Sequence, residues 1–422
     1  MNLLVFTTLY PNPGQPHHGV FVENRLRHLL ATSGYRASVI APVPWVPPGL
    51  RGHPRYQALT RVPVHEVRHE LDVWHPRYPV IPKVGMTAAP ALLYAAARRQ
   101  ARALMRAGDR FDLIDAHYFY PDGVAAALLA RELGLPFTVT GRGTDLNLIP
   151  RYTAPRRMIR WTAARAAGLI TVCDALRQDL AGLGVDPGRV QVLRNGVDLA
   201  TFWRDAAGRA RWRTELGLGE APVVASVGHL IARKGHDLAI RALAGLAPDT
   251  HLLIAGTGPE ETALRTLAGQ LGVSDRVHFL GAVPHDQLRA VYSAADALVL
   301  ASSREGWPNV LLESLACGTP VVATSVNGTP EVVRDPVAGR VVAERTPEAL
   351  TGALATILAA PSDPMTIRAY AESFSWAATS RGQIEIFEGL AQAASATAAL
   401  GFAGSGYAND VALSACRSRR RG

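Results

Sequence analysis

Cysteine is scarce in this 422-residue chain: Cys173, Cys317 and Cys416 fall far apart, with neither metal-ligand spacing nor an evident pairing. That argues against a disulfide-framed fold and suits a reducing cytoplasm. Lysine is scarcer still, with Lys83 and Lys234 alone, so the basic character rests on arginine. No apolar run approaches the roughly 18 residues that a membrane-crossing helix needs. The opening stretch 1–6 is short and apolar without a basic flank, which does not read as a secretory leader. A Gly-x-x-x-x-Gly-Lys-Ser/Thr loop is also missing, which disfavours a P-loop NTPase.

What is present is apolar bulk. At 48% hydrophobic residues, the chain can fill the cores of two domains of ordinary size. Its charge is uneven. Residues 1–198 hold 24 basic and 14 acidic side chains, residues 199–373 hold 15 and 18, and the remainder restores the overall +9. A basic first half attracts something anionic, such as a lipid head group or a membrane face. The alternative is a solvated arginine-rich surface. No nucleic-acid-binding motif accompanies the charge, so nucleic acid is not expected as a partner.

Short apolar strands alternate with amphipathic helices in both halves, the pattern of open α/β sheets. In the first half the pattern predicts strands at 2–7, 37–41, 113–116, 137–140, 168–173 and 190–193. Residues 42–90, rich in Pro, His, Tyr and Trp, read as an irregular insertion on an acceptor-facing side. In the second half strands are expected at 222–227, 251–255, 277–280, 297–301 and 321–323. Ligands of such sheets sit at the carboxyl ends of the strands, so the loops there hold the candidate residues.

The most informative loop is Ser302-Ser-Arg-Glu305-Gly306-Trp-Pro308-Asn309-Val310-Leu311-Leu-Glu313. Pro308 suits the first residue of a helix, and Gly318 suits its left-handed stop. The N–H groups of Asn309, Val310 and Leu311 would then face a phosphate at the positive end of the helix dipole. Gly306 would let the backbone approach a ligand. Glu313 lies roughly 7 Å along the axis from Pro308, about the offset from a diphosphate to its ribose. Glu305 would sit at the other end, where a transferred group would be. The plain alternative is an ordinary βαβ unit with one surface and one capping glutamate.

With its neighbours, this loop resembles the donor-site signature (Glu, seven residues, Glu) of the retaining GT-B glycosyltransferases of family four, nearest to bacterial cell-envelope, teichuronic-acid-type members. The supporting phrases are Tyr118–Gly123, Gly141–Asp145, Gly228–Asp237 and Arg304–Glu313. The resemblance spans about 1–390. It implies two Rossmann-like domains facing across a cleft: an acceptor domain over 1–195 and a nucleotide-sugar domain over 196–373. A helix over 374–390 would cross back to the first domain, and 391–422, ending in arginines, would be a mobile tail with a weak anionic-membrane contact.

The resemblance also assigns roles. Arg233 and Lys234 would carry the leaving diphosphate, and Glu305 would bind sugar hydroxyls and steady the transition state. Glu313 would hold the ribose, and Gly19 and Gly228 would allow close backbone approach. Leu280 and Val283 would meet the base, and His117 would face the donor sugar. Arg142 and Asp145 would belong to the acceptor side. A loop histidine without a role at 117, and a helix-capping role for Asp145, stay open. One departure stands out: where many members place arginine after the first glycine, this chain has His229. The other major glycosyltransferase fold typically holds a metal with an Asp-x-Asp pair, which this sequence lacks. The expectation is therefore metal-independent transfer from a nucleoside-diphosphate sugar to a glycan or lipid-linked acceptor, with no cofactor. A nucleotide-sugar 2-epimerase and a non-catalytic carbohydrate- or lipid-binding protein are the competing readings.

Overall fold

The computed structural model describes residues 1–80 and 85–392; Lys83 and most of the 391–422 segment lie outside them. Two α/β domains face each other. The sheet of the first runs Val190–Val192, Gly168–Thr171, Phe137–Gly141, Leu113–His117, Asn2–Phe6, Arg36–Ile40, Leu71–Trp74, His65–Arg68. Only the last pair is antiparallel. The second sheet is wholly parallel, in the order Val277–Gly281, His251–Ala255, Val223–Val227, Ala297–Leu300, Val321–Thr324, Gly339–Val342.

Covered on both faces by helices, the central strands are continuous apolar runs, as parallel sheets require. Leu3, Leu4, Val5 and Phe6 are fully buried, with Leu3 level with Ala37 on one side and Leu113 on the other. The mixed character of helix Val20–Ser33 is explained by what it buries. Its left-handed glycine ends, Gly19 and Gly34, frame a face carrying Val22, Leu26 and Leu29 but also Glu23 and Arg25.

The expected irregular insertion is corrected. Residues 42–80 contribute a hairpin, His65–Arg68 and Leu71–Trp74, that extends the first sheet at its edge. A helix at Pro54–Thr60 and a two-stranded ribbon of Val43–Pro44 with Arg77–Tyr78 complete the segment. The hairpin turn is His69–Glu70, both at positive φ (48° and 66°). Such turns are signalled by Asn-Gly or Asp-Gly, so this one carried no mark in the sequence.

Four longer helices also escaped prediction: Val124–Leu133, Thr153–Arg165, Ala206–Glu215 and Pro364–Glu372. For Ala206–Glu215 the reason lies in its packing. Its buried side is polar: Arg213 donates to the Ala294 carbonyl at 3.1 Å and to Asp296 at 2.8 Å. No apolar stripe marks such a face.

A helix over 376–392 crosses back onto the first domain. Gln383 accepts from Arg25 Nε at 2.9 Å and donates to Asp115 at 3.0 Å, all three side chains buried. Phe387 joins the cluster around Leu3, Val5 and Val22, and Trp376 stacks on His28 at 5.3 Å.

Candidate active site

The carboxyl ends of the two sheets meet at a cleft of about 590 Å³, the size of a small-ligand site. On its second-domain wall, Glu305 is 8% exposed. Lys234 Nζ donates to its Oε1 at 2.7 Å, Ser302 Oγ to the same oxygen at 2.6 Å, and Arg233 stands 3.5 Å from Oε2. Burial by itself would raise the Glu305 pKa; Lys234 and Arg233 outweigh it and hold the carboxyl below its ordinary value. A charged carboxylate and two cations are thus fixed within one bonding network.

Both cations come from the turn Ala232–Lys234, which follows the strand Val223–Val227. Gly228, at φ 148°, lets that strand turn out, with the Lys234 stem lying over it. A Cβ on the neighbouring Gly256 would meet the Gly228 carbonyl at 1.9 Å. This glycine therefore serves the packing of two strand-end loops. His229 lines the cleft beside them.

The helix after the loop is Asn309–Ala316, with Pro308 as its cap rather than its first residue. The expected trio of free N–H groups is corrected. Asn309 N bonds to the Trp307 carbonyl and Leu311 N to the Pro308 carbonyl, each at 3.0 Å. The chain coils so tightly after Trp307 that only the Val310 N–H stays without a protein partner among the described residues. Leu311 is fully buried, whereas Asn309 and Val310 line the cleft.

Glu313 also lines it, preset by two partners: His285 Nε2 at 3.1 Å and the Tyr292 hydroxyl, donating at 2.8 Å. Burial lowers the His285 pKa, but its bond to Glu313 overrides this and the net shift is upward. Nearby, Val283 reaches the cleft, while Leu280 packs against the core instead. Gly306 has a second reason to be glycine. A Cβ there would sit 1.8 Å from the Arg142 carbonyl of the other domain.

On the first-domain wall, Arg142 lines the cleft at 8% exposure. It donates from Nη2 to His117 Nδ1 at 2.7 Å and from Nη1 to Asn195 at 3.3 Å. Asn195 in turn donates to Asn309 Oδ1 at 3.2 Å. His117, 1% exposed, does not line the cleft; it stands behind Arg142, with Nε2 3.5 Å from Asp115. Burial, then Arg142 and Arg25, push its pKa well down, so it is neutral and accepts from the guanidinium. Asp145 is fully buried and accepts from the backbone N–H groups of Phe119, Arg142 and Gly143 at 2.7, 3.1 and 2.8 Å. It shapes the loop that presents Arg142. Gly19 lies under the first loop, where a Cβ would strike the Leu9 carbonyl at 2.3 Å.

A family described as Glycosyl transferases group 1 matches residues 208–374, and one described as Glycosyltransferase Family 4 matches 18–201. The putative teichuronic acid biosynthesis glycosyltransferase TuaC of Bacillus subtilis is 30% identical over 78% of this chain and 82% of its own length. The chain belongs to this glycosyltransferase family. A D-inositol 3-phosphate glycosyltransferase of Mycolicibacterium gilvum is 38% identical over 64% of each chain, so the match spans just under two thirds of that relative. Among solved structures, a sucrose-phosphate synthase from Thermosynechococcus elongatus superposes with TM-score 0.75 at 20% identity, covering 93% of this chain and 99% of its own. The Anabaena HepE complex with UDP-glucose gives 0.70 at 20%, covering 93% and 99%. These share the two-domain GT-B fold.

In this glycosyltransferase the two domains are tied across the cleft through backbone and side chain alike. Asn147 of the first domain donates to the Glu305 carbonyl at 2.9 Å. Glu331 of the second accepts from Arg194 Nε at 2.9 Å and from the Ala175 N–H at 3.1 Å. Asn195, His285, Tyr292 and Glu331 were not singled out in the sequence. All four act through partners distant in the chain. Asn195 alone carried a signal, in its hinge-like Asn-Gly pair. Among the described residues no helix is long and apolar enough to cross a membrane.

Proposed function

We propose that this enzyme transfers a sugar from a nucleoside-diphosphate donor to a cell-envelope glycan or lipid-linked acceptor, with retention and without a metal ion. The observation that carries the reading is the Glu305–Lys234–Arg233 network, in the same cleft as a helix start and the Glu313 carboxylate. As the bond between the anomeric carbon and the diphosphate oxygen breaks, negative charge builds on the leaving group. Arg233, Lys234 and the Val310 N–H are fixed where they stabilise it without reorganising. Glu305, kept ionised, faces the positive charge that develops on the sugar ring. The acceptor hydroxyl attacks from the face the diphosphate leaves, and its proton passes to a diphosphate oxygen. No acid–base residue of the protein is required for that step. His117 acts through Arg142, and Asn195 carries the same chain of hydrogen bonds to Asn309.

Relatives support the substrate class: TuaC is named for teichuronic acid biosynthesis, and a GDP-mannose-dependent mannosyltransferase is 40% identical over 176 residues. The basic first half supports action at the inner face of an anionic membrane. The test is nucleotide release, with EDTA present, from a panel of UDP-, GDP- and ADP-sugars. One donor should release its nucleoside diphosphate slowly, and Glu305→Gln should lower that rate by about 100-fold or more. Epimerised donor without release would overturn the reading, and so would release abolished by EDTA and restored by a divalent cation.

A further inference from the structure

A row of buried side chains runs from the crossover helix towards the cleft, and each link fixes the direction of the next. Arg25 can only donate. Its Nε takes Gln383 Oε1 at 2.9 Å, which turns the Gln383 amide nitrogen to Asp115 Oδ2 at 3.0 Å. Burial raises the Asp115 pKa to about 6, so at neutral pH the carboxylate is ionised and only accepts. His117 Nε2 lies 3.5 Å from the same oxygen. On the other side of the ring Arg142, again donor-only, gives Nη2 to Nδ1 at 2.7 Å. A neutral imidazole has one N–H and one lone pair, and the partner of one nitrogen settles the state of the other. Asp115 therefore keeps the proton on Nε2 and leaves the Nδ1 lone pair to the guanidinium.

Two further ties from the same region end beside Arg142. Arg25 Nη1 donates to the Leu193 carbonyl at 3.0 Å, and Thr379 of the crossover helix donates to the Arg194 carbonyl. The next residue, Asn195, is the second partner of Arg142. Gln383, Asp115 and His117 are each 1% exposed, and none of them lines the cleft, whereas Arg142 does. They can reach a ligand only through that guanidinium. A fully paired buried network specifies one geometry. The apolar anchor of the same helix, Phe387, packs on Leu3, Val5 and Val22 and has no part in the row.

We propose that Gln383 and Asp115 are positioning residues: from the crossover helix they fix the His117 tautomer that accepts from Arg142, and so set that guanidinium on the cleft wall. The meaning of this setting rests on the transferase reading, but the first arm of the test needs no turnover. Histidine nitrogens are isotopically labelled in the full chain, and long-range proton–nitrogen correlation at neutral pH reports the tautomer of each ring. The His117 signal, identified by its loss in His117→Gln, should show the proton on Nε2 in wild type. In Asp115→Asn, whose amide can donate as well as accept, it should move towards the Nδ1–H tautomer. A wild-type ring that is charged, or protonated on Nδ1, would overturn the proposal. An unchanged His117 signal in Asp115→Asn would do the same.

The second arm separates positioning from plain support of the helix. Gln383→Leu removes both amide hydrogen bonds, while Phe387→Leu weakens the apolar anchor and leaves the row intact. Nucleotide release should fall about tenfold in Gln383→Leu and stay within about twofold of wild type in Phe387→Leu. Nucleoside-diphosphate affinity should stay within about twofold in both, which places the loss in rate rather than in donor binding. Equal release rates in the two variants would overturn the proposal, whatever their Tm. Failure of nucleotide release with every donor would strike the transferase reading, and the His117 tautomer would still decide this one.

Discussion

Asp122 shows what burial does to a single residue. Fully enclosed, it accepts from the Thr8 N–H at 2.5 Å and from the hydroxyls of Thr8 and Thr7 at 2.9 and 3.3 Å. Burial nonetheless raises its pKa to about 7. An acid raised on folding contributes stability below its unfolded pKa, near 3.8, and loses it as pH climbs through 7. Asp122→Asn removes that titration. Relative to wild type, the variant should gain Tm between pH 5 and pH 8, equivalent to a shift of a few kcal/mol, read by thermal denaturation at the two pH values. Buffer-matched melts in which the gap between the two proteins stays constant would refute this. At this scale the sequence was most legible where chemistry is local. Glu305, Arg233, Lys234 and Glu313 all line the cleft, each singled out by its loop. Leu311 was misplaced because a helix start cannot be dated to the residue from a proline. His285 and Tyr292 stayed hidden because they reach Glu313 from 28 and 21 positions away.

At the scale of elements, the central strands were readable because their burial is apolar, whereas a helix with polar burial carried no stripe to read. Helix Ala206–Glu215 buries Gly208 and Arg213, and the hairpin at His65–Trp74 turns on two residues that rarely accept positive φ. The crossover helix combines both regimes. Phe387 made it visible, while Gln383 does the electrostatic work by joining Arg25 to Asp115. Gln383→Ala would leave a buried cation and a buried carboxyl each short of a partner. We expect a loss of about 2–4 kcal/mol in urea unfolding, whereas Gln383→Glu should be milder at low pH than at high pH. An alanine variant as stable as wild type would show that the helix is held by its apolar side alone.

For the whole molecule, the question is what holds two domains at one separation. Glu331 binds Arg194 and the first turn of helix Asp174–Gly182. Its own loop grips the donor loop, with Gly328 N bonded to the Gly306 carbonyl at 3.2 Å and Asn327 accepting from Glu305 N at 3.3 Å. Glu331→Gln should therefore widen the solution ensemble and lower kcat by about tenfold, with nucleoside-diphosphate affinity nearly unchanged. Small-angle scattering and calorimetry on the same samples check both halves. An unchanged scattering profile would reduce Glu331 to a surface ion pair. This latch was not legible beforehand, since Arg194 and Glu331 lie 137 positions apart and no ligand chemistry marks the pair.

The contact between Gly143 and Gly306 carries a consequence for how such enzymes diversify. A Cβ on Gly143 would lie 3.0 Å from the Gly306 Cα, and one on Gly306 would strike the Arg142 carbonyl. Main chain meets main chain across the domain boundary, with no side chain to adjust. A hybrid that grafts a foreign donor domain onto this acceptor domain inherits both halves of that joint from different parents. The exchangeable module is then a domain together with the opposing loop, and recombination points that split the pair yield hybrids that fold but do not close.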